Sequence, residues 1–186
     1  MRSAPTAIVS LYALTDPTDP VFTTATTPNP PPGRSSLIPY SEAEEYLNPH
    51  ASPVSHPPIG LDIPRFAYKG RPSAFFYMLQ EGTYLSSVYG KSSPEEIQKK
   101  WAIPNNISEN FPPTFVSHAV NDRFVPFSQS EKLVASLQKH NIPHVWYSIS
   151  GNHDHGFDVW DMKAGEESEF EKEFAEKLWP WLDSIV

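Results

Sequence analysis

Two stretches of this chain hold the residues best suited to chemistry. In Pro113-Thr114-Phe115-Val116-Ser117-His118-Ala119-Val120-Asn121-Asp122-Arg123-Phe124-Val125-Pro126 an apolar run passes straight into a polar turn with a carboxylate. In Gly151-Asn152-His153-Asp154-His155-Gly156-Phe157-Asp158 a second apolar run passes into a turn with imidazoles. A carboxylate beside an imidazole fixes the ring tautomer and stabilises imidazolium, which is the acid–base half of a nucleophilic acyl transfer. Asp122 offers the carboxylate, and His155 or His153 the imidazole. The plainer alternative for Asp122 is an aspartate that caps a turn before a helix, and for His155 a loop histidine without a task. A metal is a further alternative, since His153, Asp154, His155, Asp158 and Asp161 bring nitrogen and oxygen donors together, but two histidines in one tight loop do not specify a site.

The elements that must position this pair are legible around it. Thr114 to His118 reads as a strand and Val145 to Ile149 as another. Between them Ser128-Gln129-Ser130-Glu131 has the form of a capping box opening a helix to about His140, with Leu133, Val134 and Leu137 on one face, ended by Asn141 and Pro143. Two parallel strands joined by a helix release their C-terminal ends on one edge of the sheet, so Asp122 and His155 should share a rim.

Upstream, Ala7 to Tyr12 reads as a short buried strand. A proline-rich stretch follows, with one short helix signalled by Ser41 and Glu44 ahead of Glu45-Tyr46-Leu47. Residues Pro72 to Tyr89 read as helical with Gly82 as a weak point, and Ser93-Pro94-Glu95-Glu96 starts a helix that ends near Trp101. The C-terminal segment, Glu166 to about Trp179, is amphipathic with Phe170, Phe174 and Leu178 at spacing four; Pro180 bends it and Trp181, Leu182 and Val186 continue its apolar side. The predicted fold class is α/β: a few-stranded parallel sheet flanked by helices, with a proline-rich insertion.

Composition bounds the rest. The chain has 186 residues, enough for one domain spanning 1–186 and a sizeable core. Twelve of its 21 prolines lie between Pro17 and Pro64, so residues 13–71 are expected to wrap over a surface rather than form long helices or central strands. The net charge is −8 and lysines and arginines do not cluster, which argues against nucleic acid and anionic membrane as partners. The acidic run Glu166, Glu167, Glu169, Glu171, Glu173 and Glu176 reads as a solvated helix face. There is no cysteine, so disulfides and thiolate metal sites are excluded. No apolar run approaches the roughly 18 residues of a membrane span, and Met1-Arg2-Ser3-Ala4-Pro5 is no hydrophobic signal segment, so a soluble cytoplasmic protein is expected and the sequon Asn106-Ile107-Ser108 reads as a chance match. Gly90-Lys91-Ser92 has the form of the end of a phosphate-binding loop, but Leu85 stands where its first glycine must be. No cofactor is expected.

His118-Ala119-Val120-Asn121-Asp122-Arg123-Phe124-Val125-Pro126 resembles the strand of the α/β-hydrolase family that ends His-Gly-x-x-Asp-x-x-Val-Pro and carries the catalytic acid, and His155-Gly156-Phe157 resembles the His-Gly-Phe of its catalytic histidine in esterase-type and peptidase-type members. The glycine after position 155 and Phe157 favour His155 over His153. Ser130-Glu131-Lys132-Leu133 and Trp179-Pro180-Trp181-Leu182 are similar to the family's last helices, and Ala7 to Tyr12 with Thr15-Asp16-Pro17 to the strand after its nucleophile helix. The resemblance is strongest over 111–186. It implies a Ser-His-Asp ester or amide hydrolase acting on a small-molecule substrate. The family's nucleophile turn, Gly-x-Ser-x-Gly, is absent: the glycines are 33, 60, 70, 82, 90, 151, 156 and 165, and no two are four apart. Ser10, Ser35, Ser36, Ser92 and Ser93 lack that context. The resemblance thus implies a truncated homologue with a triad's Asp122 and His155, or a non-catalytic relative that binds a partner or a small apolar ligand. Phe75, Phe76, Tyr77, Tyr84 and Tyr89 stand where hydrolases often carry a lid or substrate pocket, with core packing as the alternative. The first strand would have an unpaired edge, open to self-association unless the proline-rich segment covers it.

Overall fold

In the computed structural model, which describes residues 5–31, 34–48, 50, 71–160 and 169–185, the chain runs β1 (Ile8–Leu11), α1 (Pro20–Thr23), α2 (Tyr40–Leu47), α3 (Arg71–Gln80), α4 (Tyr84–Tyr89), α5 (Pro94–Trp101), a 3₁₀ turn (Ile103–Asn106), β2 (Thr114–Ala119), α6 (Ser128–Lys139), β3 (His144–Ile149), α7 (Phe157–Trp160) and α8 (Glu169–Asp183). Contacts divide it into two compact units, Met1–Asp16 with Lys100–Val186, and Pro17–Lys99.

The first unit holds a three-stranded sheet in the order β1–β2–β3, parallel throughout, with Ile8 opposite Thr114 and Thr114 opposite His144. All six residues of β2 are buried, as a central strand covered on both faces requires. Alternation along β2 sorts its side chains between two layers. Val116 joins Leu133, Val134 and Leu137 of α6 with Ile107 and Ile142, and Phe111 and Trp146 pack against them. On the opposite face Phe115 meets Phe174 and Trp181 of α8, at ring-centroid distances of 6.0 and 5.6 Å, while Ala119 packs with Ile149 and Phe157. The two polar residues of β2 are satisfied: Ser117 Oγ donates to the Tyr147 carbonyl at 3.0 Å, and His118 belongs to the site described below.

The capping boxes expected at Ser41 and at Ser128 do not form. α2 starts at Tyr40, because Pro39, with φ −69°, supplies the extended entry and its carbonyl accepts the Glu42 N–H; Ser41 is already inside the helix. α6 starts at Ser128 after a Phe127 that is itself helical, and the Pro126 carbonyl accepts the Gln129 N–H. At α5 the box is complete: Glu96 accepts from the Ser93 N–H at 2.8 Å and Ser93 Oγ accepts from the Glu96 N–H at 3.2 Å. α6 ends in Asn141 at φ +55°, a left-handed position that asparagine tolerates. Within the described residues α8 begins at Glu169 and continues through Pro180 to Asp183.

In the second unit, α1 is a helical turn that the proline content concealed: Asp19 accepts from the Val21 N–H, and Pro20 sits where a helix needs no N–H. The helical stretch 72–89 is broken between α3 and α4. Gly82 there has φ +65°, and a Cβ on it would lie 2.9 Å from the Ala25 nitrogen. Buried Gln80 accepts from the Ile38 N–H and donates to the Ile38 carbonyl, which ties α3 to the segment before α2. Much of the expected wrapping segment, 32–33, 49 and 51–70, lies outside the described residues, as do Asp161, Glu166 and Glu167 of the sequence reading.

Candidate active site

The strand-helix-strand unit β2–α6–β3 delivers two loops to one edge of the sheet, as parallel strands must. Asp122 lies in the first, three residues past β2, and His155 in the second, six residues past β3. Asp122 Oδ2 and His155 Nδ1 are 2.8 Å apart. The carboxylate is fully buried, whereas the imidazole keeps 25% of its surface exposed.

Both readings of Asp122 hold at once, one per oxygen. Oδ1 makes the turn: it accepts the backbone N–H of Phe124 at 2.8 Å and of Val125 at 2.9 Å. Oδ2 faces two imidazoles, His155 and the fully buried His118 of β2, whose Nε2 lies 3.1 Å away. His118 Nε2 is also 3.0 Å from the Val125 carbonyl, which can only accept, so Nε2 carries a proton; Nδ1 lies 2.7 Å from Ser130 Oγ on α6. Burial alone would push the Asp122 carboxyl up, but hydrogen bonds from His118 and His155, the His155 charge and the Val125 N–H bring it down to about 2. The group is therefore ionised at neutral pH and accepts from His155 Nδ1–H. In the neutral ring that leaves the second nitrogen, Nε2, with a lone pair able to accept a proton.

The His155 ring has two aromatic neighbours, both tilted against it, Tyr12 at 4.3 Å between centroids and Phe124 at 5.5 Å. Tyr12 follows β1 with φ +37°, an unfavourable conformation for an aromatic residue. Its N–H donates to the Ser117 carbonyl and its hydroxyl to Asp158 Oδ1 at 2.7 Å. Burial, then the Asp158 hydrogen bond and the charges of Asp158 and Asp122, raise the phenol well above its ordinary value, so Tyr12 is a neutral donor. Below the rim Gln129, fully buried, accepts through Oε1 from the N–H groups of Thr15 and Asp16 at 2.9 and 2.7 Å, fastening the segment after β1 to α6.

The sequence pointed to Asp122 and His155, and the structure brings them together. It gave no role beside the pair to His118, Tyr12 or Gln129, and Asp154 entered it only as a possible metal donor. His118 lies inside an apolar strand, Tyr12 just after one, Gln129 in the first turn of a helix and Asp154 in a polar loop, and none of the four is readable without knowing what it faces. Among the described residues no group of three or more His, Cys, Asp or Glu could hold a metal. Phe75, Tyr84, Tyr89 and Phe22 pack on one another within the second unit, and Tyr40 lies on Tyr77 there.

Residues 73–179, well over half of the chain, match the prolyl oligopeptidase family. The chain belongs to that family. Its parallel sheet flanked by helices is part of an α/β-hydrolase fold; the family match covers the Asp122 turn and the His155 loop, and the first strand lies outside it. Among solved structures, a protein of unknown function from Staphylococcus aureus subsp. aureus Mu50 superposes with a TM-score of 0.60 at 17% identity, over 96% of this chain and 56% of that one. An acetyl ester-xyloside bifunctional hydrolase from Caldicellulosiruptor lactoaceticus is 23% identical over 56% of this chain and 36% of its own, with a TM-score of 0.46. Carboxyl esterase 2 from Tuber melanosporum is 15% identical over 99% of this chain and 46% of its own, with a TM-score of 0.48. The chain thus spans between about a third and just over half of these structures. No curated protein matches it. Among the described residues no helix is long and apolar enough to cross a membrane.

Proposed function

We propose that this chain carries the acid and the base of a Ser-His-Asp ester or amide hydrolase site, with Asp122 orienting His155 and His155 acting as general base and then general acid. The observation that carries this reading is the 2.8 Å contact between Asp122 Oδ2 and His155 Nδ1 at the C-terminal edge of neighbouring parallel strands. The rest of the environment supports it. The carboxylate is buried and ionised, the imidazole keeps a quarter of its surface exposed, and Tyr12 and Phe124 pack beside its ring.

The chemistry is incomplete in these 186 residues. A base accelerates acyl transfer only when it can take a proton from a nucleophile, and the tetrahedral intermediate needs oxyanion donors. The sequence has no Gly-x-Ser-x-Gly turn, so in this reading the chain by itself does not turn over substrate. The second reading, a non-catalytic homologue that binds a partner or a small apolar ligand on the same rim, is favoured by that missing turn.

The test uses the purified chain. Nitrophenyl esters and a fluorophosphonate probe should show no turnover and no serine labelling, while ring-nitrogen NMR should place a proton on His155 Nδ1 against Asp122. A His155 proton residing on Nε2 would remove the acid–base assignment. Stoichiometric labelling of one serine that vanishes in His155→Ala would overturn the incomplete-site reading and make the chain a competent hydrolase.

A further inference from the structure

Asp154 stands one residue before His155, and its carboxylate reaches across to the loop that carries Asp122. Oδ1 accepts two backbone N–H groups, that of Arg123 at 3.0 Å and that of His155 at 2.8 Å. Oδ2 accepts from the Arg123 side chain, Nε at 2.7 Å and Nη2 at 2.5 Å. One carboxylate oxygen therefore joins the peptide group next to Asp122 to the peptide group of His155 itself. A second tie runs between the same loops, from Asn121 Nδ2 to the Gly151 carbonyl at 2.7 Å.

The arrangement answers a mechanical problem. His155 lies six residues beyond β3, in a loop that contains Gly151 at φ +96° and Gly156 at φ +75°, so the strand alone does not fix its position. A hydrogen bond such as that between Asp122 and His155 tolerates only a few tenths of an ångström of drift before it weakens. Asp154 supplies the missing reference point, and is suited to it. Its side chain is 16% exposed against 60% for Arg123. Burial would raise its carboxyl, but the Arg123 backbone and side-chain donors, the His155 N–H and the Arg123 charge together lower it, so the clasp is ionised near neutrality. With both oxygens turned to N–H donors, Oδ1 to the backbone and Oδ2 to the Arg123 side chain, Asp154 is committed to these groups and not to a metal.

We propose that Asp154 is a positioning residue that sets the spacing of the two rim loops, and thereby the Asp122–His155 hydrogen bond, by clasping the backbone N–H groups of Arg123 and His155; its ion pair with Arg123 is secondary. The catalytic meaning of this clasp rests on the function proposed above, whereas its effect on the hydrogen bond does not.

The test is NMR on the full chain with ring-labelled histidine, which reads the clasp without any turnover. In the parent protein the Arg123 and His155 backbone amides should both be protected from exchange, and the His155 Nδ1 proton should be observable. In Asp154→Ala that proton should exchange about tenfold faster or broaden away, as expected for loss of about one hydrogen bond's stabilisation, and His155 should become a mixture of tautomers. Asp154→Asn keeps an Oδ1 acceptor and should retain the proton. Arg123→Gln keeps the backbone N–H and should retain it too. Unfolding should stay cooperative and the Thr114–Ala119 amides protected in each. The proposal is overturned if Asp154→Ala leaves the proton and tautomer unchanged, or if Arg123→Gln loses them as fully as Asp154→Ala. It also fails if the two backbone amides exchange freely in the parent, a measurement that stands even where Asp154→Ala does not fold. Turnover or serine labelling in the ester and phosphonate assays bears only on the function proposed above.

Discussion

His118 and His155 approach the same oxygen of Asp122, at 3.1 and 2.8 Å, from a buried strand and from the surface loop. This convergence has a consequence for acid stability. Burial alone would raise the Asp122 carboxyl, yet the two imidazole hydrogen bonds, the His155 charge and the Val125 N–H lower it from 3.8 to about 2. The folded value lies below the unfolded one, so the stabilisation is complete above about pH 4 and is lost as the pH falls through about 2. It amounts to about 2 kcal/mol at neutral pH. Urea midpoints measured across this window should fall less steeply in Asp122→Asn than in the parent; equal slopes would mean that the carboxyl titrates alike in both states.

Removing His118 leaves three groups without their partner: Ser130 Oγ, the Val125 carbonyl and one side of Asp122 Oδ2. His118→Phe should destabilise the first unit by about 2–4 kcal/mol, the range for unsatisfied buried polar groups. His118→Gln can still offer an N–H toward Oδ2 and should lose less. Denaturant unfolding of the two variants gives the comparison, and a His118→Phe chain as stable as the parent would show the network to be dispensable.

Gln129 makes a sharper case because one oxygen serves two backbone donors. In Gln129→Leu the N–H groups of Thr15 and Asp16 lose their acceptor in a buried setting, since Thr15 and Asp16 are themselves buried. The expected cost is about 2–4 kcal/mol. Hydrogen exchange should show it locally, with the Thr15 and Asp16 amides losing protection before those of β2. Unchanged protection at both would contradict the role assigned to Gln129.

The sheet and the pair at its rim were legible because they depend on short, strong signals. β2 and β3 are apolar runs bounded by punctuation, α6 has its apolar residues on one face, and together they dictate that Asp122 and His155 emerge on one edge. The capping boxes at Ser41 and Ser128 were misread because a proline two positions earlier in each case, Pro39 and Pro126, supplies the carbonyl that accepts the first N–H. α1 was hidden for a related reason: proline was read as a breaker, whereas Pro20 is a helix start. The groups around the pair were not legible at all. His118 and Gln129 make contacts 4 to 114 residues away in sequence, and nothing local in their type or spacing says which atoms they will face.

The outer edge of β1 leads to a last expectation. The N–H groups of Ile8 and Tyr12 point to β2, where they donate to the carbonyls of Pro113 and Ser117. In a parallel ladder the alternate residues then point the other way, so the N–H and C=O groups of Val9 and Leu11 face outward. Among the described residues only β2 pairs with β1, and Val9 is 40% exposed. An apolar edge with free backbone groups is a template for another strand, and we propose that it pairs with a second copy of this chain. Val9→Lys places a charge on that edge, and Val9→Pro removes an outward donor without touching the bonds to β2. Both should shift sedimentation profiles of the concentrated chain toward monomer. If the parent is already a monodisperse, cooperatively unfolding monomer at high concentration, with residues 7–12 protected from exchange, the edge is covered by the chain itself and this pairing does not occur.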